Sequence, residues 1–158
     1  MRLASESHQR IQAFLRDHFH NESLHLPPIT VHPGPLANWM TRTFGVIAIT
    51  FGQRVFVASD VVKRDSGGRV SVPAHLMAHE ATHVVQYQEA GVVGFLASYL
   101  RDYGRGLKAQ GSFRKAARQA AYLAIKYERE AYAAEHAYTV WSPPQSALSE
   151  AQPVSDSA

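Results

Sequence analysis

The sequence predicts an α+β domain in which a small β-sheet precedes a helix with a metal-binding motif, and a mainly helical second half follows. Three observations carry this prediction. Residues of high β-propensity flank Gly52-Gln53, residues 75–91 combine helical apolar spacing with the motif His-Glu-Ala-Thr-His, and a long alanine-rich segment begins at Ser112. We expect one domain over residues 1–141 and a disordered tail over residues 142–158, which are rich in Ser, Pro, Gln and Ala.

The elements are expected in the following order. Apolar residues at helical spacing predict a helix over about residues 5–20, and the proline-rich segment after it leaves room for a short strand at Ile29 to Val31. Gly52-Gln53 fits a type II′ turn, which predicts a β-hairpin. A helix should then run from Ser71 to a stop at Gly91, followed by a second helix to about Tyr103.

After these elements we expect a basic, glycine-punctuated linker over residues 104–111 and one long helix from Ser112 to about Val140. Residues 101–129 contain eight Lys or Arg against Asp102 and Glu128. Such a segment is usually a solvated helix face, so nucleic acid is an unlikely partner; nucleic-acid or membrane binding remains a less favoured alternative.

The composition limits the possible functions. The 158 residues have a net charge of +3 and include no cysteine, so disulfides and thiolate metal ligands are excluded. No apolar run is long enough to span a bilayer, and the first residues do not form a signal peptide. The default expectation is therefore a cytoplasmic protein, although export without a signal peptide leaves no such mark.

His79 and His83 lie four residues apart and would project from one face of a helix, where both imidazoles can reach a single metal ion. Glu80 lies about 100° round the helix and is better placed to act as a general base than to join them as a ligand. His75 extends the same stripe, but it would lie too far from His83 to bind the same ion, so we expect it at the surface or in a supporting role. Gln86 is one turn beyond His83 and could hydrogen-bond a supporting group.

A catalytic zinc ion usually has three protein ligands, so a third ligand is required. Two histidines with one glutamate form an established set for a single Zn²⁺ ion. The segment "KYEREAYAAEHAY" offers four candidates: Glu128, Glu130, Glu135 and His136.

The chain resembles the gluzincin clan of metallopeptidases. It is more closely similar to small bacterial zincin-like domains that include the core domain of extracellular contractile injection systems. The resemblance rests on "AITFGQRVFVAS", "LMAHEATHVVQ" and "AYLAIKYEREAYAAE", and it covers about residues 29–138. It implies a minimal zincin-like fold, with Glu128 as the third ligand beside His79 and His83 and with Glu80 as the general base.

The same resemblance implies a zinc metallopeptidase that hydrolyses peptide bonds through a zinc-bound water activated by Glu80. Glu130 is the second candidate for the third ligand. Tyr132 stands where many gluzincins have an aspartate that orients the first histidine, and a tyrosine would not supply that negative charge. The candidates for the oxyanion stabiliser are Tyr99, Tyr132, His136 and Tyr138.

The expected partner is a peptide or protein substrate that docks along Val55–Ser59 by main-chain hydrogen bonding, which is what the resemblance implies for the strand that borders the cleft. The alternative function is a catalytically weak or inactive metal-binding domain that acts as a scaffold or interaction module in a bacterial secretion or toxin-associated assembly. The sequence does not indicate the oligomeric state.

Overall fold

The computed structural model describes residues 1–64 and 70–141. It has the expected α+β architecture, with a three-stranded sheet, a separate two-stranded ribbon and five helices. In chain order the elements are α1 (Ser5–His18), β1 (Thr30–Pro33), α2 (Pro35–Phe44), β2 (Ala48–Phe51), β3 (Arg54–Val57), β4 (Lys63–Arg64), β5 (Val70–Ser71), α3 (Ala74–Gln110), α4 (Lys115–Leu123) and α5 (Lys126–Val140).

The sheet has the strand order β1-β3-β2. The predicted hairpin is confirmed: β2 and β3 pair antiparallel around Gly52, whose φ of 59° suits a glycine in this turn. β1 pairs parallel to β3 on the other side. The N-terminal residues cover the outer edge of β1, since the N–H of Val31 donates to the carbonyl of Met1 and the N–H of Leu3 donates to the carbonyl of Ile29. β2 is therefore the edge strand that no other strand covers within the described residues.

The predicted docking strand is wrong. Val55 to Val57 belong to the central strand, which is already paired with β1 and with β2. Ala58 donates its N–H to the carbonyl of Ile47, and Ser59 donates its N–H to the side chain of Asn38. A strand with both edges paired cannot accept an added peptide, so any docking of this kind must use β2.

Helix α2 is not predicted from the sequence, because four prolines and a glycine in this region indicate irregular structure. Pro35 occupies the first turn, where its missing N–H costs nothing, and Gly45 ends the helix in the left-handed conformation. α2 packs on the sheet through Ala37 and Thr41 and exposes its opposite side.

Helix α3 consists of two arms that meet at Gly91, where the backbone is not helical (φ 67°, ψ 164°). The predicted stop at Gly91 is thus confirmed as a sharp change of direction. We call residues 74–90 the first arm and residues 92–110 the second arm.

The predicted basic linker is wrong, because the second arm stays helical to Gln110. Glycine is required at position 106 of this helix because α4 crosses it closely: a Cβ atom there would lie 2.8 Å from Cα of Ala121. The predicted single helix from Ser112 is also wrong. The segment forms two helices, α4 and α5, separated at Ile125. The backbone of Ile125 is extended (φ −63°, ψ 130°) and its side chain is fully buried.

The core lies between α1, the sheet, the first arm of α3 and α5. Phe14 of α1 packs edge-on against Tyr138 and Trp141, which joins the start of the chain to the end of α5. None of the helices in the described residues is long and apolar enough to cross a membrane. The predicted tail, residues 142–158, lies outside the described residues.

Candidate metal centre

The first arm of α3 supplies the histidine motif from inside the protein. Every residue from Leu76 to Tyr87 is buried, because the arm packs against α1, β2 and α5. His79 and His83 lie one turn apart and face α5, with ring centroids 5.0 Å apart. A pair of buried imidazoles needs polar partners to offset the loss of water.

Glu128, in the first turn of α5, meets both histidines. Its Oε2 lies 3.6 Å from His79 Nε2, and its Oε1 lies 3.6 Å from His83 Nε2. The three residues are buried, and one potential ligand atom from each lies within 4.8 Å of the other two. The structure therefore brings together the three residues that the sequence and the resemblance indicated, close enough to hold one metal ion.

The other nitrogen of each histidine has its own acceptor. His79 Nδ1 is 3.1 Å from Oε2 of Glu135, and His83 Nδ1 is 2.8 Å from Oε1 of Gln86. Because both partners are acceptors, a neutral imidazole carries its hydrogen on Nδ1 and leaves the Nε2 lone pair for a metal. This donor set, two imidazole nitrogens and one carboxylate with supported ring orientations, fits a zinc ion.

Two tyrosines hold the carboxylate of Glu128. Tyr99, from the second arm of α3, donates to Oε1 at 3.0 Å, and Tyr122, from α4, donates to Oε2 at 2.6 Å. Burial and the charge of Glu128 raise the pKa of both phenols, so they remain protonated donors. Each carboxylate oxygen is thereby fixed in direction before any ion binds.

The electrostatics of the centre keep Glu128 ionised and make His83 easier to protonate. Burial acts to raise the pKa of Glu128, but the imidazoles of His79 and His83, each 3.6 Å away, outweigh it and hold that pKa well below its usual range. Burial acts to lower the pKa of His83, yet the nearby carboxylate of Glu128 raises it on balance, with help from Glu80. A proton on His83 would therefore offset the carboxylate charge in the absence of metal, and a metal ion would have to displace it.

Glu80 points toward the sheet side of the centre. Its carboxylate is buried, and Oε2 accepts a hydrogen bond of 2.6 Å from the hydroxyl of Thr50, the third residue of β2. The general base predicted from the sequence is thus fixed by the uncovered edge strand. Nothing in the motif itself indicated Thr50, because its contact with Glu80 spans 30 residues.

Glu130, the second candidate for the third ligand, does not face the histidines. Its carboxylate accepts from Gln86 at 3.0 Å and lies 3.5 Å from Lys126. Gln86 in turn orients His83, so Glu130 contacts the metal centre only indirectly, through Gln86. His75 is exposed, and its Nε2 is 4.0 Å from Glu135.

Glu135 supplies the carboxylate that orients His79, in place of the aspartate that many gluzincins have at the position of Tyr132. Tyr132 itself packs edge-on against the His79 ring, with centroids 4.7 Å apart. Glu135 lies seven residues after Glu128, two turns along the same face of α5, and therefore reaches the outer nitrogen of His79. The spacing of seven was the signal in the sequence, and it differs from the spacing of four that many gluzincins have.

The four candidates for an oxyanion stabiliser occupy different environments. Tyr99 already donates to Glu128, Tyr138 packs with Phe14 in the core, and His136 is exposed on α5. Tyr132 combines contact with His79 and partial exposure of 41%, so it is the candidate that both adjoins the centre and meets solvent.

A comparison with known families gives a match to part of the chain. The model of the eCIS core domain family matches residues 6–91, which include the hairpin, Thr50 and the histidine motif. Glu128 and its tyrosine partners lie beyond the matched segment. The comparisons with curated proteins and with solved structures each gave no match.

Proposed function

Because this chain belongs to the eCIS core domain family, we propose that it is a zincin-like domain that binds one zinc ion and acts as an interaction module in a contractile injection assembly. The family supports the assembly role. The convergence of His79, His83 and Glu128, with both outer histidine nitrogens engaged, supports the metal.

The donor chemistry favours zinc among the common biological metals. Calcium and magnesium prefer sites made almost entirely of oxygen, whereas two imidazoles and one carboxylate suit zinc. When bound, zinc would act as a Lewis acid and lower the pKa of a water molecule. The ion would also join the first arm of α3 to α5, which gives the domain a stable surface for partners.

Peptide hydrolysis is a second candidate function, and the position of Glu80 favours it. Its carboxylate is a buried base that Thr50 holds in place, so it can accept a proton from water and return it to a leaving amine. Thr50 also belongs to the uncovered strand β2. The carbonyl of Ile47 faces inward and accepts from Ala58, the residue after β3. Because the direction of backbone groups alternates along a strand, those of Ala48 and Thr50 face outward and could pair with an extended peptide.

The metal proposal is tested by loading the full chain with zinc, removing excess and measuring the metal content. The wild type should retain one zinc ion per chain. Glu128→Gln should retain far less, while Glu89→Gln, a matched loss of charge at an exposed position of α3, should behave like the wild type. A wild-type protein that keeps no zinc would overturn the proposal.

The two functions are separated with Glu80→Gln, which should still bind zinc because Glu80 is not among the three converging ligands. Zinc-loaded wild type and variant are incubated with unfolded proteins and the products are analysed for fragments. Cleavage by the wild type alone would establish the peptidase. If neither cleaves, but both bind components of the injection particle and Glu128→Gln does not, the interaction module is supported.

A further inference from the structure

The second arm of α3 has an apolar outer face that no other element covers among the described residues. Val93, Leu96 and Leu100 follow one another at helical spacing, and Val93 and Leu100 are 82% and 67% exposed. The opposite side of the same arm is buried through Phe95, which stacks on Tyr127 at 4.7 Å. The arm is therefore packed on one side and leaves an aliphatic band on the other.

Basic side chains border this band. On a helix with 3.6 residues per turn, Arg101, Arg105 and Lys108 lie within about 120° of Val93 on a single flank of the band. All three are exposed, and within the described ranges neither Arg105 nor Lys108 has an acidic partner. Arg101 is the exception, with Asp102 at 3.3 Å.

The exposed charge of residues 101–129 is more one-sided than their sequence indicates. All eight basic residues in this range are exposed, whereas one of its two acidic residues, Glu128, is buried in the metal centre. Asp102 is therefore the one acidic residue of this range outside the core, and Glu130, from outside the range, pairs with Lys126 at 3.5 Å.

We propose that this face docks the domain on an anionic lipid bilayer. A nucleic acid would neutralise the basic flank but gain little from aliphatic side chains, and pairing with a second copy would bring like charges together. An anionic bilayer satisfies both features, since Val93 and Leu100 can enter the boundary with the acyl chains while Arg105 and Lys108 contact phosphate groups. This peripheral binding is independent of the function proposed for the metal centre.

The test uses the full chain and sedimentation with phosphatidylcholine vesicles that either contain or lack phosphatidylglycerol. Binding should require phosphatidylglycerol and fall as salt is added. The R105Q/K108Q variant should bind about 30-fold more weakly, because each basic residue near an anionic surface contributes about a fivefold factor. V93S/L100S should lose about tenfold or more.

Matched controls come from surfaces outside the second arm. L36S/W39S alters residues of α2 that are 60% and 64% exposed, and R10Q/R42Q removes two exposed cations from α1 and α2. Both should bind vesicles like the wild type. Equal binding to neutral vesicles, an equal loss in the controls, or no vesicle binding would overturn the proposal. Binding of duplex DNA that V93S/L100S does not weaken, or dimers that V93S/L100S abolishes in the absence of vesicles, would likewise overturn it.

Discussion

Glu135→Gln tests whether the carboxylate beside His79 supports metal binding. The substitution keeps the size of the side chain and an acceptor oxygen for the Nδ1–H, which lies 3.1 Å away, but it removes the negative charge. Loss of such a partner typically lowers metal affinity by about 10- to 100-fold. The Glu135 side chain is 25% exposed, and solvent therefore screens part of its charge. We accordingly expect the lower end of that range, about tenfold or 1.4 kcal/mol.

The assay is competition for zinc between the protein and a chromophoric chelator at neutral pH. Glu89→Gln is the charge-matched control, because Glu89 is exposed on the same helix as His79. Tyr132→Phe is the second control, since the Tyr132 ring and not its hydroxyl packs on His79. If Glu135→Gln binds zinc within twofold of the wild type, or if Tyr132→Phe weakens binding equally, the assignment of Glu135 is refuted.

Three further predictions concern stability without metal. Tyr122→Phe leaves Oε2 of Glu128 without its 2.6 Å donor and should lower the free energy of unfolding in urea by about 1.5–3 kcal/mol. The control Tyr127→Phe, whose ring packs on Phe95, should change that free energy by less than about 1 kcal/mol. Equal losses in the two variants would contradict the prediction. Gly106→Ala should lower the free energy of unfolding by about 1–3 kcal/mol, because its Cβ would meet Ala121 at 2.8 Å. Gly104→Ala, whose Cβ would have nothing within 4 Å, should raise it by up to about 1 kcal/mol. A Gly106→Ala protein as stable as the wild type would show that α4 does not cross there. With a chelator present, the lowered pKa of Glu128 contributes stability that is lost as the pH falls below 4.5, the ordinary pKa of a glutamate. The raised pKa of His83 contributes stability that is lost as the pH rises above 6.5, the ordinary pKa of a histidine. Urea unfolding across this range should therefore show a contribution that is largest between these values and absent in Glu128→Gln.

The sequence predicts the parts of the fold that depend on local patterns. The hairpin at Gly52 and the turn at Gly91 follow from positions where glycine is conformationally favoured, and both appear where expected. The second arm instead continues through Gly104 and Gly106, and Gly106 meets Ala121, a residue 15 positions beyond it. Local propensity for a linker was overridden by packing that the sequence does not display.

The candidate site divides in the same way. The spacing of His79 and His83 indicates their common face directly, and the resemblance to a known family places Glu128 beside them. The groups that orient the carboxylates of the centre come from other parts of the fold: Tyr99 from the second arm and Tyr122 from α4 hold Glu128, and Thr50 from the sheet holds Glu80. Their roles depend on tertiary contacts and are visible only once the elements are assembled.

The change of direction at Gly91 would couple metal binding at the centre to a distant part of the chain. Without it, the second arm would continue straight, and Tyr99 could not return to donate to Glu128. An ion that binds only the folded centre must then also disfavour local opening of this arm, by thermodynamic linkage. Amide hydrogen exchange should consequently slow in residues 92–110 when zinc is added, and Tyr99→Phe should reduce that protection while leaving the first arm protected.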